Sequence, residues 1–119
     1  MNREEIKKLL PHREPMLLID EVTLQDGVAI GKYTIKGDEF FLQGHFPGNP
    51  VVPGVILCEM MAQSACILID AGKNYTPYYT GMTGVRFKRK VLPGETIEFK
   101  SELIRAKAPF YFMKSEGFV

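Results

Sequence analysis

The amino-acid sequence predicts a single α+β domain in which an antiparallel sheet wraps around one long helix. Residues 53–71 form the one long helical pattern, and this segment is apolar on nearly every side, so other elements must cover it. Segments rich in aliphatic and aromatic residues predict five strands, at 16–24, 28–35, 78–89, 96–106 and 110–119. A parallel α/β sheet would need several more helices, so the pattern favours antiparallel pairing.

The predicted elements before the long helix are a short helix and a hairpin. Asn2 and Glu5 have the spacing of a helix N-cap and its reciprocal acceptor, and Pro11 ends that helix. The turn residues 25–27, Gln-Asp-Gly, join the first two strands. An irregular stretch at 37–53, rich in glycine, proline and aromatic residues, then leads to the long helix.

Turn and helix-end residues mark the remaining boundaries. Pro53 near the start of the long helix and Gly72 just past its end follow the usual asymmetry of helix termini. Residues 92–95, Leu-Pro-Gly-Glu, predict a tight turn before the strand at 96–106, where apolar and charged residues alternate. Residues 107–109 separate that strand from the last one.

Composition sets the class of protein. The chain has 119 residues, 45% hydrophobic and 24% charged, which fits one ordinary soluble domain. Its formal net charge of +1 argues against a nucleic-acid-binding face. The polar N-terminus is neither a secretory signal nor an anchor, and Glu59 and Gln63 interrupt the apolar run at 51–69, so we expect a cytoplasmic protein.

The cysteines and histidines predict neither a disulfide nor a metal site. Cys58 and Cys66 fall on the same predicted helix, roughly 12 Å apart along its axis, too far for a disulfide. His12 and His45 add no zinc-ligand spacing. Both thiols are interpreted as small buried apolar groups.

Glu59 is the most informative residue of the long helix, because an unpaired buried charge is costly. Gln63 lies four positions later on the same helical face. The pair could be structural, bonded to neighbouring backbone. Alternatively, Gln63 could orient a carboxyl in an apolar cavity, where desolvation raises the pKa and prepares the group to donate a proton.

His45 lies in a loop stiffened by glycines and prolines that leads straight to the helix start. A lone histidine is more often structural than catalytic. However, a rigid loop at a helix N-terminus exposes backbone N–H groups that can bind a developing negative charge. The positive end of the helix dipole would also keep the imidazole neutral and able to act as a base. A base, a buried carboxyl and an anion site suit proton abstraction next to a carbonyl.

The run from Gly44 to Val55, GHFPGNPVVPGV, followed by Glu59 and Ala62-Gln63, closely resembles the signature of a known enzyme family. This family is the β-hydroxyacyl-(acyl carrier protein) dehydratases of type II fatty acid synthesis. The similarity covers nearly the whole chain and includes four further segments: LPHR at 10–13, LLID at 17–20, RF at 86–87 and PGE at 93–95.

The resemblance implies a hot-dog fold, homodimers that assemble into a trimer of dimers, and an active site at the dimer interface. It implies that His45 removes the proton alpha to the thioester and that Glu59 of the other protomer protonates the departing β-hydroxyl. The substrate would be a 3-hydroxyacyl chain on acyl carrier protein, the product a trans-2-enoyl thioester, and no cofactor or metal is expected. Glutamate at position 59 resembles the broad-range branch, which does not isomerise the double bond.

Further residues are expected to contact the substrate. The N–H of Gly54 would hold the thioester carbonyl, and Phe46 and Gln63 would line the site. Tyr78 aligns with an aromatic residue that gates the acyl tunnel in this family, although a strand aromatic in the core is an equal alternative. His12 and its neighbour Arg13 match the family and are interpreted as structural.

A basic cluster at 86–90 is either a solvated strand end or a contact for the acidic carrier protein. The family continues past Val119 with one more strand, so the chain is expected to be a single hot-dog domain at 1–119 that lacks this strand. Two other functions stay open: a hot-dog acyl thioesterase, and a non-catalytic subunit that binds acyl chains or carrier protein. The thioesterases generally lack the His-Phe-Pro-Gly loop, and a binding subunit should have lost His45 or Glu59.

Overall fold

The computed structural model describes residues 1–69, 78–107 and 109–119. Its strands are β1 (Glu21–Gln25), β2 (Val28–Thr34), β3 (Thr96–Lys107) and β4 (Phe110–Phe118). They form one antiparallel sheet in the order β1-β2-β3-β4. The helices are α1 (Arg3–Ile6) and α2 (Gly54–Ser64), with short 3₁₀ helices at Phe40–Leu42 and Ala65–Leu68. The predicted α+β class with one main helix is therefore confirmed.

The chain's turns form for the reasons that the sequence indicated. Asn2 and Glu5 make a reciprocal capping box at the start of α1. Asp26 and Gly27 both have positive φ, 50° and 79°, which gives the two-residue hairpin its right-handed twist. Gly94 has φ of 88° at the third position of the turn before β3, where a residue with a side chain would be strained.

One face of the sheet packs against α2, and residues of the N-terminal segment and the loops complete the core between them. The inward side chains of β2 and β3 alternate with outward ones, and Tyr33, Ile97 and Phe99 are all at most 3% exposed. The alternation in β3 stops after Ser101, beyond which every described residue of the strand is exposed. The core therefore lies under the first half of β3.

Two of the predicted strands were wrong: the first is shorter than predicted, and the third does not form. The first strand begins at Glu21 rather than Met16, because residues 16–18 turn away to bond to the helix. Residues 78–89 contain no strand, so the sheet has four strands among the described residues instead of five. Gly84, with φ of 64°, bends this segment, and the side chains of Tyr79 and Phe87 contact α2 instead of entering the sheet.

The long helix starts where predicted but ends earlier. Pro53 is the N-cap of α2, and the last turn tightens into the 3₁₀ helix that ends at Leu68. Ile69 is already extended, whereas the prediction ran to Ala71. The predicted stop signal, Gly72, lies outside the described residues.

The helix is also less covered than its apolar sequence predicted. Leu57, Met60 and Gln63 are buried, but Val55 is 73% exposed and Ala62 is exposed as well. Val55, Glu59 and Ala62 have the spacing of one helical face. We refer to these three residues as the open stripe of α2.

Gly31 allows α2 and its 3₁₀ extension to approach β2 closely. A Cβ at this position would lie 2.5 Å from the Cβ of Ser64, a buried residue whose hydroxyl donates to the carbonyl of Met60. Since the Cβ of Ser64 cannot move without shifting the helix, the space at Gly31 fixes the distance between helix and sheet.

We expect Gly31→Ala to lower the free energy of unfolding by about 1–3 kcal/mol, because the added methyl overpacks this contact. The matched control is Gly81→Ala, where a Cβ would meet nothing within 4 Å. Urea unfolding of both variants measures the difference. Equal stability of the two would contradict the close approach of helix and sheet.

Candidate active site

The loop that carries His45 is closed by backbone hydrogen bonds. The N–H of Val51 donates to the carbonyl of His45 over 2.8 Å, and Phe46 and Asn49 bond reciprocally at 3.1 and 2.8 Å. Gly48, with φ of 72°, forms the tip of this turn. The His45–Phe46 peptide bond is cis. The backbone hydrogen bonds hold the ring of His45 on a closed turn just before α2.

The ring nitrogens of His45 have different surroundings. Nδ1 lies 2.9 Å from the carbonyl oxygen of Val51. A carbonyl can only accept, so Nδ1 carries a hydrogen, and in the neutral ring Nε2 then has the lone pair. Phe46 stacks on the imidazole, with ring centroids 4.1 Å apart, and is itself 53% exposed. The half-buried imidazole thus has the tautomer that a general base needs.

Gln63 holds Glu59 through a set of buried hydrogen bonds. The Gln63 side chain is 1% exposed, and its Nε2 donates over 2.8 Å to the carbonyl of Met16 and over 2.8 Å to Glu59 Oε2. Its Oε1 accepts from the N–H of Leu18 at 2.7 Å. Both hydrogens of the Gln63 amide are used in these bonds, so Gln63 orients Glu59. A direct contact between Gln63 and the substrate stays a prediction.

A second histidine reaches Glu59. His12 Nε2 lies 3.2 Å from Glu59 Oε2, and both side chains are about one-fifth exposed, at 21% and 22%. From the sequence, His12 was expected to be structural, and its contact with Glu59 was not predicted. The signal was the LPHR motif itself, but nothing in one sequence says that residue 12 meets residue 59. Arg13 has the structural role expected, since its guanidinium donates to the carbonyls of Lys7, Leu10 and His12.

Gly54 provides the start of α2. Within the described ranges, the N–H groups of Gly54 and Val55 donate to no protein acceptor, as is usual for the first turn of a helix. The Phe87 ring lies 2.8 Å from the point where a Cβ of residue 54 would stand. Glycine at this position lets the aromatic ring lie directly over the helix start.

The neighbouring residues Tyr78 and Tyr79 differ in exposure, at 82% and 49%. Tyr78 is 82% exposed, so the alternative of a core aromatic is wrong, and a gating role stays a prediction. The Tyr79 hydroxyl donates to the carbonyl of Cys58. Burial raises the pKa of Tyr79, and the nearby charge of Glu59 raises it further, so its phenol stays protonated near Glu59.

The thiols do not supply a nucleophile. Cys58 and Cys66 are free and buried, as expected. Burial raises the pKa of Cys66 to about 11 and raises that of Cys58 as well, so neither forms much thiolate at neutral pH. Acyl transfer to cysteine is therefore disfavoured.

His45 and Glu59 have separate supports in the protomer. Among the described residues, no hydrogen bond joins the two side chains.

No group of three His, Cys, Asp or Glu residues in the described ranges could hold a metal ion. The described part of the chain also contains no helix long and apolar enough to cross a membrane. A depression of about 350 Å³ on the outer face of the sheet includes none of the predicted site residues.

A solved structure and a family model match this chain over most of its length. The dehydratase heterocomplex ApeI:P from Xenorhabdus doucetiae aligns with a TM-score of 0.75 and 22% identity, covering 95% of this chain and 80% of that chain. This likeness confirms the hot-dog fold. A family model described as the FabA-like domain matches residues 10–119, and the chain belongs to this family.

Similar curated proteins carry one description, 3-hydroxyacyl-(acyl-carrier-protein) dehydratase FabZ. The protein from Clostridium perfringens (strain SM101 / Type A) is 42% identical, covering 100% of this chain and 88% of its own length. The protein from Petrotoga mobilis is 41% identical over 96% of this chain and 84% of its own. The protein from Thiobacillus denitrificans is 45% identical over 88% of this chain and 78% of its own.

We expect Gln63→Leu to lower the free energy of unfolding by about 2–5 kcal/mol, because it leaves the Met16 carbonyl and the Leu18 N–H without partners. Gln43→Leu makes the same change at an exposed position and should stay within about 0.5 kcal/mol of the parent protein. Thermal and urea unfolding compare the two. A Gln63→Leu protein as stable as its control would contradict the buried hydrogen-bond network.

Proposed function

We propose that this protein is a hydro-lyase that dehydrates 3-hydroxyacyl chains on acyl carrier protein, as in type II fatty acid synthesis. The observation that carries the proposal is the 40–45% identity to FabZ dehydratases, which extends over most or all of the chain. The imidazole of His45 can act as a base and the carboxyl of Glu59 can act as an acid, and these two groups support the same reaction.

In the proposed mechanism, His45 Nε2 removes the proton alpha to the thioester carbonyl. The Nδ1–H bond to Val51 orients the ring and stabilises the imidazolium that forms. Negative charge then develops on the thioester oxygen. The N–H of Gly54, at the positive end of α2, is the donor proposed to stabilise it.

Glu59 then gives its proton to the β-hydroxyl, which leaves as water while the electrons of the alpha C–H bond form the double bond. The product is a trans-2-enoyl thioester. Proton exchange with solvent afterwards restores neutral His45 and protonated Glu59. Phe46 and Tyr78, both exposed aromatic residues near the site elements, are proposed to contact the acyl chain.

We also propose that the working unit is a homodimer in which Glu59 acts on substrate bound beside His45 of the other protomer. The support is the open stripe of α2, where Glu59 lies between two exposed apolar residues. Further apolar side chains are exposed at Met82, Val85 and Phe87, and the Phe87 ring lies over the start of α2. An apolar surface of this kind around a catalytic carboxyl suits burial against a second subunit. The trimer of dimers stays a prediction.

The carrier protein remains the expected partner of the basic cluster at 86–90. These residues belong to no strand, so the predicted strand end is absent, but the alternative of a merely solvated surface stays open. All are exposed, and Arg89 bonds to Glu95 over 2.5 Å. The cluster therefore presents positive charge on an exposed face, which would favour encounter with an acidic carrier.

The test is hydration of a crotonyl thioester, the reverse reaction, followed by loss of enoyl absorbance. The parent protein should turn over, whereas His45→Ala and Glu59→Gln should lower kcat roughly 10²–10⁴-fold by removing the base or the acid. Glu102→Gln, at an exposed carboxylate of β3, is the matched control and should keep full activity. Release of free thiol without hydration would favour the thioesterase. Absence of both reactions would contradict an enzymatic function.

A further inference from the structure

His12 is held in place by its own loop. It follows Pro11 after the end of α1, and the Arg13 guanidinium donates to its carbonyl over 2.7 Å and to that of Leu10 over 2.9 Å. The side chain is only 21% exposed. Its Nδ1 is fully buried and has no hydrogen-bond partner within the part of the chain that the structure describes.

These surroundings select one tautomer. A hydrogen on Nδ1 would be a buried donor without an acceptor, which costs free energy. Nε2 faces a carboxylate oxygen of Glu59 at 3.2 Å, where a lone pair would be repelled and an N–H attracted. His12 is therefore expected to carry its hydrogen on Nε2, the opposite of His45.

The oxygen that His12 faces is the one already occupied by Gln63. Oε2 of Glu59 receives the Gln63 amide at 2.8 Å and lies 3.2 Å from His12 Nε2. Two N–H groups directed at one carboxyl oxygen leave no room for a hydrogen on that oxygen. An acidic proton on Glu59 must then reside on Oε1.

We propose that His12 is a positioning residue that, together with Gln63, fixes which oxygen of Glu59 carries the transferable proton. This inference rests on the proposed function, in which Glu59 is the acid. Oε1 would bear the proton that is given to the leaving hydroxyl, while Oε2 is held by Gln63 and His12. After transfer, the same two N–H groups stabilise the carboxylate, so neither state requires rearrangement.

The kinetic test compares His12→Leu with His12→Gln in the crotonyl thioester assay. Leucine removes the donor at similar size, whereas glutamine can present an amide N–H near the position of Nε2. We expect His12→Leu to lower kcat about tenfold with little change in KM, the size of one lost charged hydrogen bond. His12→Gln should recover most of the loss. Equal kcat values for the two variants, at equal thermal stability, would overturn the proposal.

The spectroscopic test does not depend on turnover. His12 and His45 are the two histidines of the chain, so ¹⁵N NMR of the imidazoles at pH 8 gives two spin systems that His12→Leu assigns. We expect an Nε2–H tautomer for His12 and an Nδ1–H tautomer for His45. Glu59→Gln should shift the His12 Nε2 signal. An Nδ1–H tautomer of His12, or no response to Glu59→Gln, would overturn the contact.

The two tests separate the possible failures. A parent protein that shows this NMR signature but cannot hydrate the thioester would contradict the proposed function and the positioning role of His12 in it, but not the contact between His12 and Glu59. An active parent protein without the signature would contradict the positioning role alone.

Discussion

The buried amide of Gln63 is the constraint on which the rest of the site depends. A side chain that is 1% exposed must satisfy every polar atom internally, and here the partners are the Met16 carbonyl, the Leu18 N–H and Glu59. One residue thereby attaches α2 to the segment before β1 and aims the helix's one carboxylate. Low local dielectric strengthens these bonds and makes any unpaired member costly, so the arrangement has a single stable form.

The site has two halves with independent supports. His45 is held by a closed turn whose backbone bonds need no help from the sheet, while Glu59 is held on the helix by Gln63 and His12. In the proposed dimer, these independent supports would allow association of the subunits to bring the two groups together. Each half is already ordered in one protomer, so little conformational entropy remains to be lost when the site is completed.

Local signals in the sequence predicted the elements that depend on neighbouring residues. The capping box at Asn2, the Asp-Gly turn and Pro53 at the helix start all appear at the expected positions. The segment 78–89 was predicted as a strand from its composition, but strand formation needs a hydrogen-bonding neighbour, which composition does not reveal. Likewise, His12 and Glu59 meet through the fold, so their contact could not be read from spacing. The tautomer of His45 also required the position of the Val51 carbonyl.

The most direct test of the account mixes two inactive variants, His45→Ala and Glu59→Gln, in subunits that have been dissociated and reassociated. If His45 of one protomer works with Glu59 of the other, each mixed dimer contains one intact pair, and crotonyl thioester hydration should return to roughly a quarter of the parent rate, since about half of randomly paired dimers are mixed and each has one working site of two. No recovery, although mass spectrometry shows that mixed dimers formed, would contradict a site shared between subunits.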